Sequence, residues 1–175
     1  MRKSGILMHL ASLPSEYGVG TMGAAARKFA DFLSDAGQQY WQLLPICPTS
    51  YGDSPYQSFS TFAGNPYFIS LDELIEEGVL TRAECEKVNW GKAKGSIDYE
   101  KIYKGRYPLL RKAYERSKIS ENPEYQKFVN KNSWWLSDYA LFMAVKGRFD
   151  NVEWTKWAED IRLRWKWAMD YYREE

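Results

Sequence analysis

The first 45 residues alternate in a pattern that few folds accommodate. Gly5-Ile6-Leu7-Met8-His9-Leu10 is a short, largely apolar run that ends in Ser12-Leu13-Pro14-Ser15. Runs of this kind, bounded by turn residues, fit a strand buried on both faces. Gly18, Gly20 and Gly23 then supply a loop. From Ala24 the period becomes helical: Ala26, Phe29, Ala30, Leu33 and Ala36 share one face, and Gly37 sits where a left-handed C-terminal cap belongs. Tyr40-Trp41-Gln42-Leu43-Leu44 is a second short run, stopped by Pro45. Strand, loop, helix, glycine, strand is the pattern of a parallel βαβ unit.

Beyond residue 66 the pattern is largely helical. A short helix is predicted from Leu71 to Glu77, ended by Gly78, and Thr81-Arg82-Ala83-Glu84 is a capping box that opens another. A Gly/Lys-rich turn covers 90–96. A helix follows over roughly 98–116, with a break expected near Gly105 or Pro108. Asn122-Pro123 caps a further segment. Trp135, Leu136, Tyr139, Ala140 and Met143 form the apolar face of a helix ending at Gly147, and a last helix begins around Asp160. Two parallel strands do not make a stable domain alone, because their edges stay unpaired. The chain also ends inside a helical pattern. The expectation is therefore an α/β chain whose sheet is incomplete.

At 175 residues and 45% hydrophobic, the chain is long enough for a real core. Its 24 Lys and Arg against 23 Asp and Glu exclude a dedicated nucleic-acid or anionic-membrane binder, which needs clustered positive charge. No apolar run is long enough to span a bilayer, and the basic start lacks a signal-peptide core. Cys47 and Cys85 lie far apart without histidine neighbours, which argues against a disulfide framework or zinc site and for a reducing, cytoplasmic compartment.

The segment Tyr51–Pro66 carries the chemistry. It follows the second strand's C-terminal end, where β/α proteins place functional loops. It combines aromatic planes (Tyr51, Tyr56, Phe59) with hydroxyl, amide and carboxylate groups. Sugars present an apolar C–H face and hydroxyls that donate and accept. A loop braced by Pro and Gly over its own aromatics fits the spacing equally well.

Three blocks then stand in order. They are Ser4-Gly5-Ile6-Leu7 through Leu13-Pro14-Ser15 with Tyr17-Gly18-Val19-Gly20; Ala36-Gly37-Gln38 with Trp41-Gln42-Leu43-Leu44-Pro45; and Ser54-Pro55-Tyr56-Gln57-Ser58 with Phe62-Ala63-Gly64-Asn65-Pro66. Together they resemble the N-terminal third of the 4-α-glucanotransferases, the amylomaltases or disproportionating enzymes of the α-amylase-like superfamily. The resemblance is dense from residue 4 to about 80 and looser to the end.

It implies the N-terminal part of a (β/α)8 TIM barrel, with barrel elements over 1–70, a helical insertion over 71–159 and a returning helix over 160–175. It implies transfer of α-1,4-glucan segments between maltooligosaccharides or other glucans by a retaining mechanism, without metal or cofactor. That mechanism uses a nucleophile and an acid/base carboxyl roughly 5–5.5 Å apart. In the family these carboxylates, and a third that holds the donor sugar, lie on later strands, so this chain resembles a fragment with no catalytic residue. Asp31, Asp35, Glu76, Glu84 and Asp138 sit on helix faces and are expected to be solvated or paired.

By the same resemblance, Tyr56 matches the tyrosine that stacks on the donor sugar next to the cleaved bond, and Ser54 a neighbouring contact. Tyr51 matches a position of a second glucan site. Asp53 and Gln57 suit sugar hydroxyls, or else brace the loop. His9, the only histidine, ends the first strand and is either a sugar contact or a satisfied core histidine. Ser12 beside it finds no third orienting group, which rules against acyl transfer. Trp134, Trp135, Trp154, Trp157, Trp165 and Trp167 are expected mostly to pack, with room for one to stack on glucan. A non-catalytic glucan-binding module and a helical interaction protein are the competing readings.

Overall fold

The computed structural model describes residues 2–50, 52–91 and 95–174. It divides into two compact units, residues 1–119 and 120–175.

In the first unit, β1 (Gly5–Leu7) and β2 (Tyr40–Gln42) pair in parallel, with Ile6 opposite Trp41. Between them runs α1 (Ala24–Asp35), completing the predicted βαβ unit. The helix ends as its sequence requires. Gly37 takes φ +68°, its N–H donates to Ser34 O at 3.0 Å, and the Gln38 N–H donates to Leu33 O at 2.9 Å. This is a Schellman stop, which a side-chain-bearing residue at position 37 would strain. Phe29 of α1 packs edge-on against Trp41 of β2, with centroids 5.0 Å apart, while the Trp41 Nε1–H donates to Met8 O.

The strands are shorter than predicted and are not buried on both faces: Leu7 and Tyr40 are each 54% exposed. Among the described residues the two strands pair only with each other, so surface that a larger sheet would cover stays open.

Three helices follow. Ser70 caps α2 (Leu71–Glu76) by accepting the Glu73 N–H. Thr81 and Glu84 form the predicted capping box on α3 (Arg82–Glu86). Asp98 caps α4 (Tyr99–Ser117) by accepting the Lys101 N–H. The expected break in α4 does not occur. Pro108 and Lys104 are both on the exposed side, so the carbonyl that Pro108 leaves unpaired faces water. Gly105 is required by packing instead, since a Cβ there would stand 2.3 Å from Val88 Cγ1 and 3.3 Å from the Trp90 ring.

α4 also joins the unit's two cores. Ile102 belongs to the one built on Leu10, Val19 and Phe68, and Leu109 and Ala113 to the one built on Tyr17, Leu71 and Leu80. Between them Arg106 is fully buried and donates to the Ile69 carbonyl. Burial lowers its guanidinium to about 10.

The second unit is helical. Asn122 caps α5 (Pro123–Arg148) by accepting the Glu124 and Tyr125 N–H groups. The helix is thus one 26-residue rod, longer than its apolar face alone suggested. The single final helix of the sequence reading is two, α6 (Glu159–Arg162) and α7 (Lys166–Glu174), separated at Arg164 with φ +59°. The core comprises Leu141, Val145, Trp157, Ile161, Ala168 and Met169. No described helix is long and apolar enough to cross a membrane.

Candidate functional site

The loop after β2 folds on itself. Thr49 and Ser58 form an isolated antiparallel bridge, and the Ser50 N–H donates to Gln57 O at 3.0 Å. Inside this neck the Asp53 N–H reaches Ser50 O at 3.1 Å and the Gln57 N–H reaches Ser54 O at 3.0 Å. Gly52 and Asp53 turn the chain with φ +96° and +54°. Serine side chains do the rest. Ser54 Oγ accepts the Tyr56 N–H, and Ser60 Oγ accepts those of Phe62 and Ala63. At the loop's exit Asn65 is buried and accepts the Tyr67 N–H at 2.9 Å, which anchors the return to the core. Gly64-Asn65-Pro66 is therefore a tight structural turn.

This framework places Tyr56 at the tip, 73% exposed, with its ring presented to solvent. Gln57 is exposed beside it. Ser54 and Asp53 are half-buried and already engaged, Ser54 with the backbone and Asp53 with the Thr49 hydroxyl at 3.3 Å. Burial pushes the Asp53 carboxyl above its ordinary value, and the Thr49 hydrogen bond pulls it partly back. Tyr51 lies outside the described residues.

His9 stands apart from the loop tip, half-buried and edge-on to Phe68 at 5.4 Å. Desolvation lowers its imidazole below the ordinary value, so it is neutral at pH 7, and its buried Nδ1 has no partner among the described residues. A cavity of about 420 Å³ opens at the loop's base, lined by Met22, Ile46, Phe68 and Ile69 with Asn65 and Glu73 at its polar side. None of His9, Asp53, Ser54, Tyr56 and Gln57 lines it.

One group of residues behind the loop was not assigned from sequence. Tyr67 is buried, 6.2 Å from Tyr99 and 6.1 Å from Tyr107, and Tyr103 lies 5.0 Å from Tyr107. Its phenol is raised well above the usual range by burial first, then by Tyr107 and the Asp53 carboxylate. The signal was present: tyrosines at 99, 103 and 107 are four apart, one stripe along a helix.

The arrangement offers a stacking plane, amide and hydroxyl groups and a single carboxylate, Asp53. That set can hold a sugar. It lacks the carboxyl pair that glycosyl transfer requires.

The helix-face acids behave as expected. Glu84 is paired with Lys112 and Arg116, Asp138 with Arg164, and Asp31, Asp35 and Glu76 are exposed.

Comparison with known proteins converges on one group. A family model described as 4-alpha-glucanotransferase matches residues 8–175. The chain is 48% identical over 176 residues to a 4-alpha-glucanotransferase of Streptococcus pneumoniae, covering 99% of this chain and 35% of the relative. It is 44% identical over 172 residues to one of Thermus thermophilus, covering 96% and 33%. Its structure superposes on an amylomaltase from Streptococcus agalactiae solved in complex with acarbose, with a TM-score of 0.89 and 36% identity, covering 99% of this chain and 35% of that one. The chain thus spans about a third of the length of these relatives.

Proposed function

Since the chain belongs to the 4-α-glucanotransferase family, we propose that it supplies the donor-sugar wall of an enzyme that transfers α-1,4-glucan segments to acceptor glucans or glucose. The observation that carries this reading is Tyr56, an aromatic ring held out in water at the tip of a loop braced by its own hydrogen bonds. An exposed ring on a rigid support is what stacking on a pyranose needs. Ser54, Asp53 and Gln57 flank it as polar contacts, Tyr51 is assigned by resemblance to a second glucan site, and His9 is assigned a packing role.

In this reading β1, α1 and β2 begin a (β/α)8 barrel, segment 71–159 is a helical insertion, and residues 160–175 lead back to the barrel. The nucleophile and acid/base carboxyls lie in the two thirds of the relatives that this chain does not cover. Transfer proceeds with retention through a covalent glycosyl intermediate, and needs no cofactor. The cytoplasm is the compartment that the two separate free thiols favour. Taken by itself, the chain supports glucan binding without chemistry, because the loop holds one carboxylate.

The test is isothermal titration of maltotriose into the chain and its Tyr56→Ala variant, with glucose release assayed in parallel. Binding heat weakened by the substitution, with no glucose released, supports the reading. Equal heats in both chains would refute the role of Tyr56, and glucose release by these 175 residues would refute the placement of the carboxyls.

A further inference from the structure

The second unit contains a cleft of its own, about 430 Å³, between α5, the Trp154–Lys156 turn and α6. That volume lies within the usual range of small-ligand pockets. Its floor is apolar, with Leu141, Val145 and Ile161 among its residues, and its rim carries Asp138, Arg162 and Arg164.

Three observations say what the cleft suits. Trp154 lines it while remaining 54% exposed, so an indole face is available at its mouth. Trp157, 9% exposed, lines it too, and its buried Nε1–H has no acceptor among the described residues.

Arg164 donates from Nη2 to both oxygens of Asp138, each at 3.0 Å, so the two side chains form a polar pair at the rim. It does so from a left-handed backbone, φ +59°, a conformation that favours glycine. The same turn closes α6, since the Arg164 N–H donates to Ile161 O at 3.1 Å and the Trp165 N–H to Asp160 O at 2.9 Å.

An indole and a formed polar pair lining one apolar cleft match the apolar and polar sides of a pyranose ring. Its C–H face stacks on the indole, and its hydroxyls take up the donors of the arginine and the lone pairs of the aspartate. The pair is more than half exposed, so it exchanges water for hydroxyls without a buried charge being stripped.

We propose that this cleft is a second, non-catalytic carbohydrate site, which seats a glucosyl unit of an α-glucan on Trp154 and the Arg164–Asp138 pair. The choice of ligand rests on the α-glucan reading above. The site itself rests on residues of the second unit alone.

Maltotriose titrated into the full chain carrying Tyr56→Ala separates the two sites. The expected result is one remaining binding event, weakened by roughly three- to tenfold, as loss of one stacking or polar contact predicts, when Trp154→Ala or Arg164→Gln is added. Two independent substitutions guard against a folding defect in either, and circular dichroism confirms helix content.

If Tyr56→Ala removes all binding, the cleft is not a carbohydrate site and the loop reading stands. If Trp154→Ala and Arg164→Gln weaken binding in the parent chain while Tyr56→Ala does not, the cleft stands and the loop reading falls. Residual heat unchanged by both cleft substitutions overturns this proposal, and no heat in the parent chain overturns both.

Discussion

Thr49 donates its hydroxyl to Asp53 Oδ1 at 3.3 Å, across a turn in which Asp53 itself has φ +54°. Burial raises the Asp53 carboxyl, so the folded chain holds that proton more tightly than the unfolded chain does. Ionised Asp53 therefore opposes folding at neutral pH, and its penalty fades as the pH falls through the carboxylate range. Asparagine keeps an acceptor for Thr49 and tolerates the left-handed backbone. Asp53→Asn should raise the melting temperature at pH 7, with the gain closing by about pH 3. A gain independent of pH would contradict the assigned cause.

Tyr56→Ala should leave stability within about 0.5 kcal/mol of the parent, because the side chain is 73% exposed. Thermal melts check this. Tyr56→Phe should keep most of the sugar affinity, since the stacking face is unchanged. If it is as damaging as alanine, the hydroxyl rather than the ring makes the contact.

Glu84 ties the start of α3 to α4. Its Oε2 accepts the Thr81 N–H at 3.0 Å, Lys112 reaches Oε1 at 2.9 Å, and both oxygens meet Arg116 at 3.0 Å. The Arg116 and Lys112 contacts, with the Thr81 amide, hold the carboxyl far below the ordinary range. Its contribution is present above the unfolded carboxylate value and is lost as the pH falls below it. Glu84→Gln should melt at a lower temperature at pH 7, and the gap should narrow steadily below about pH 4.5. A gap of constant size would mean that shape, not charge, is what Glu84 provides.

Gly105→Ala tests the packing of α4. On helix propensity alone, alanine gains about 0.8–1 kcal/mol. The new Cβ would meet Val88 Cγ1 at 2.3 Å, and overpacking of this kind costs about 1–3 kcal/mol. Net destabilisation in urea melts is expected, and a stabilised variant would show that Val88 moves aside freely.

Much of this was readable from sequence where local chemistry dominates. Gly37 ends a helix through its left-handed backbone, and Thr81 with Glu84, and Asn122, begin helices as their side chains dictate. The parallel strand pair was readable for the same reason, since its apolar runs are short and bounded. What failed depends on which atoms lie opposite. Gly105 looked like a helix breaker until Val88 and Trp90 were seen against it, and Pro108 until its side of the helix proved exposed. The meeting of Tyr67 with the 99, 103 and 107 stripe, and the cleft at Arg164, each bring together residues distant in sequence. Arg164 in particular stands where a pattern reader expects one continuous helix.

The bracing of the Tyr56 loop bears on the thermodynamics of capture. Its neck, its left-handed turn and its serine contacts are all made by the loop's own groups. The conformational entropy of ordering those residues is spent when the chain folds, so an arriving glucan meets a surface already set. Association should then have an entropy governed by released water and by the sugar's own torsions.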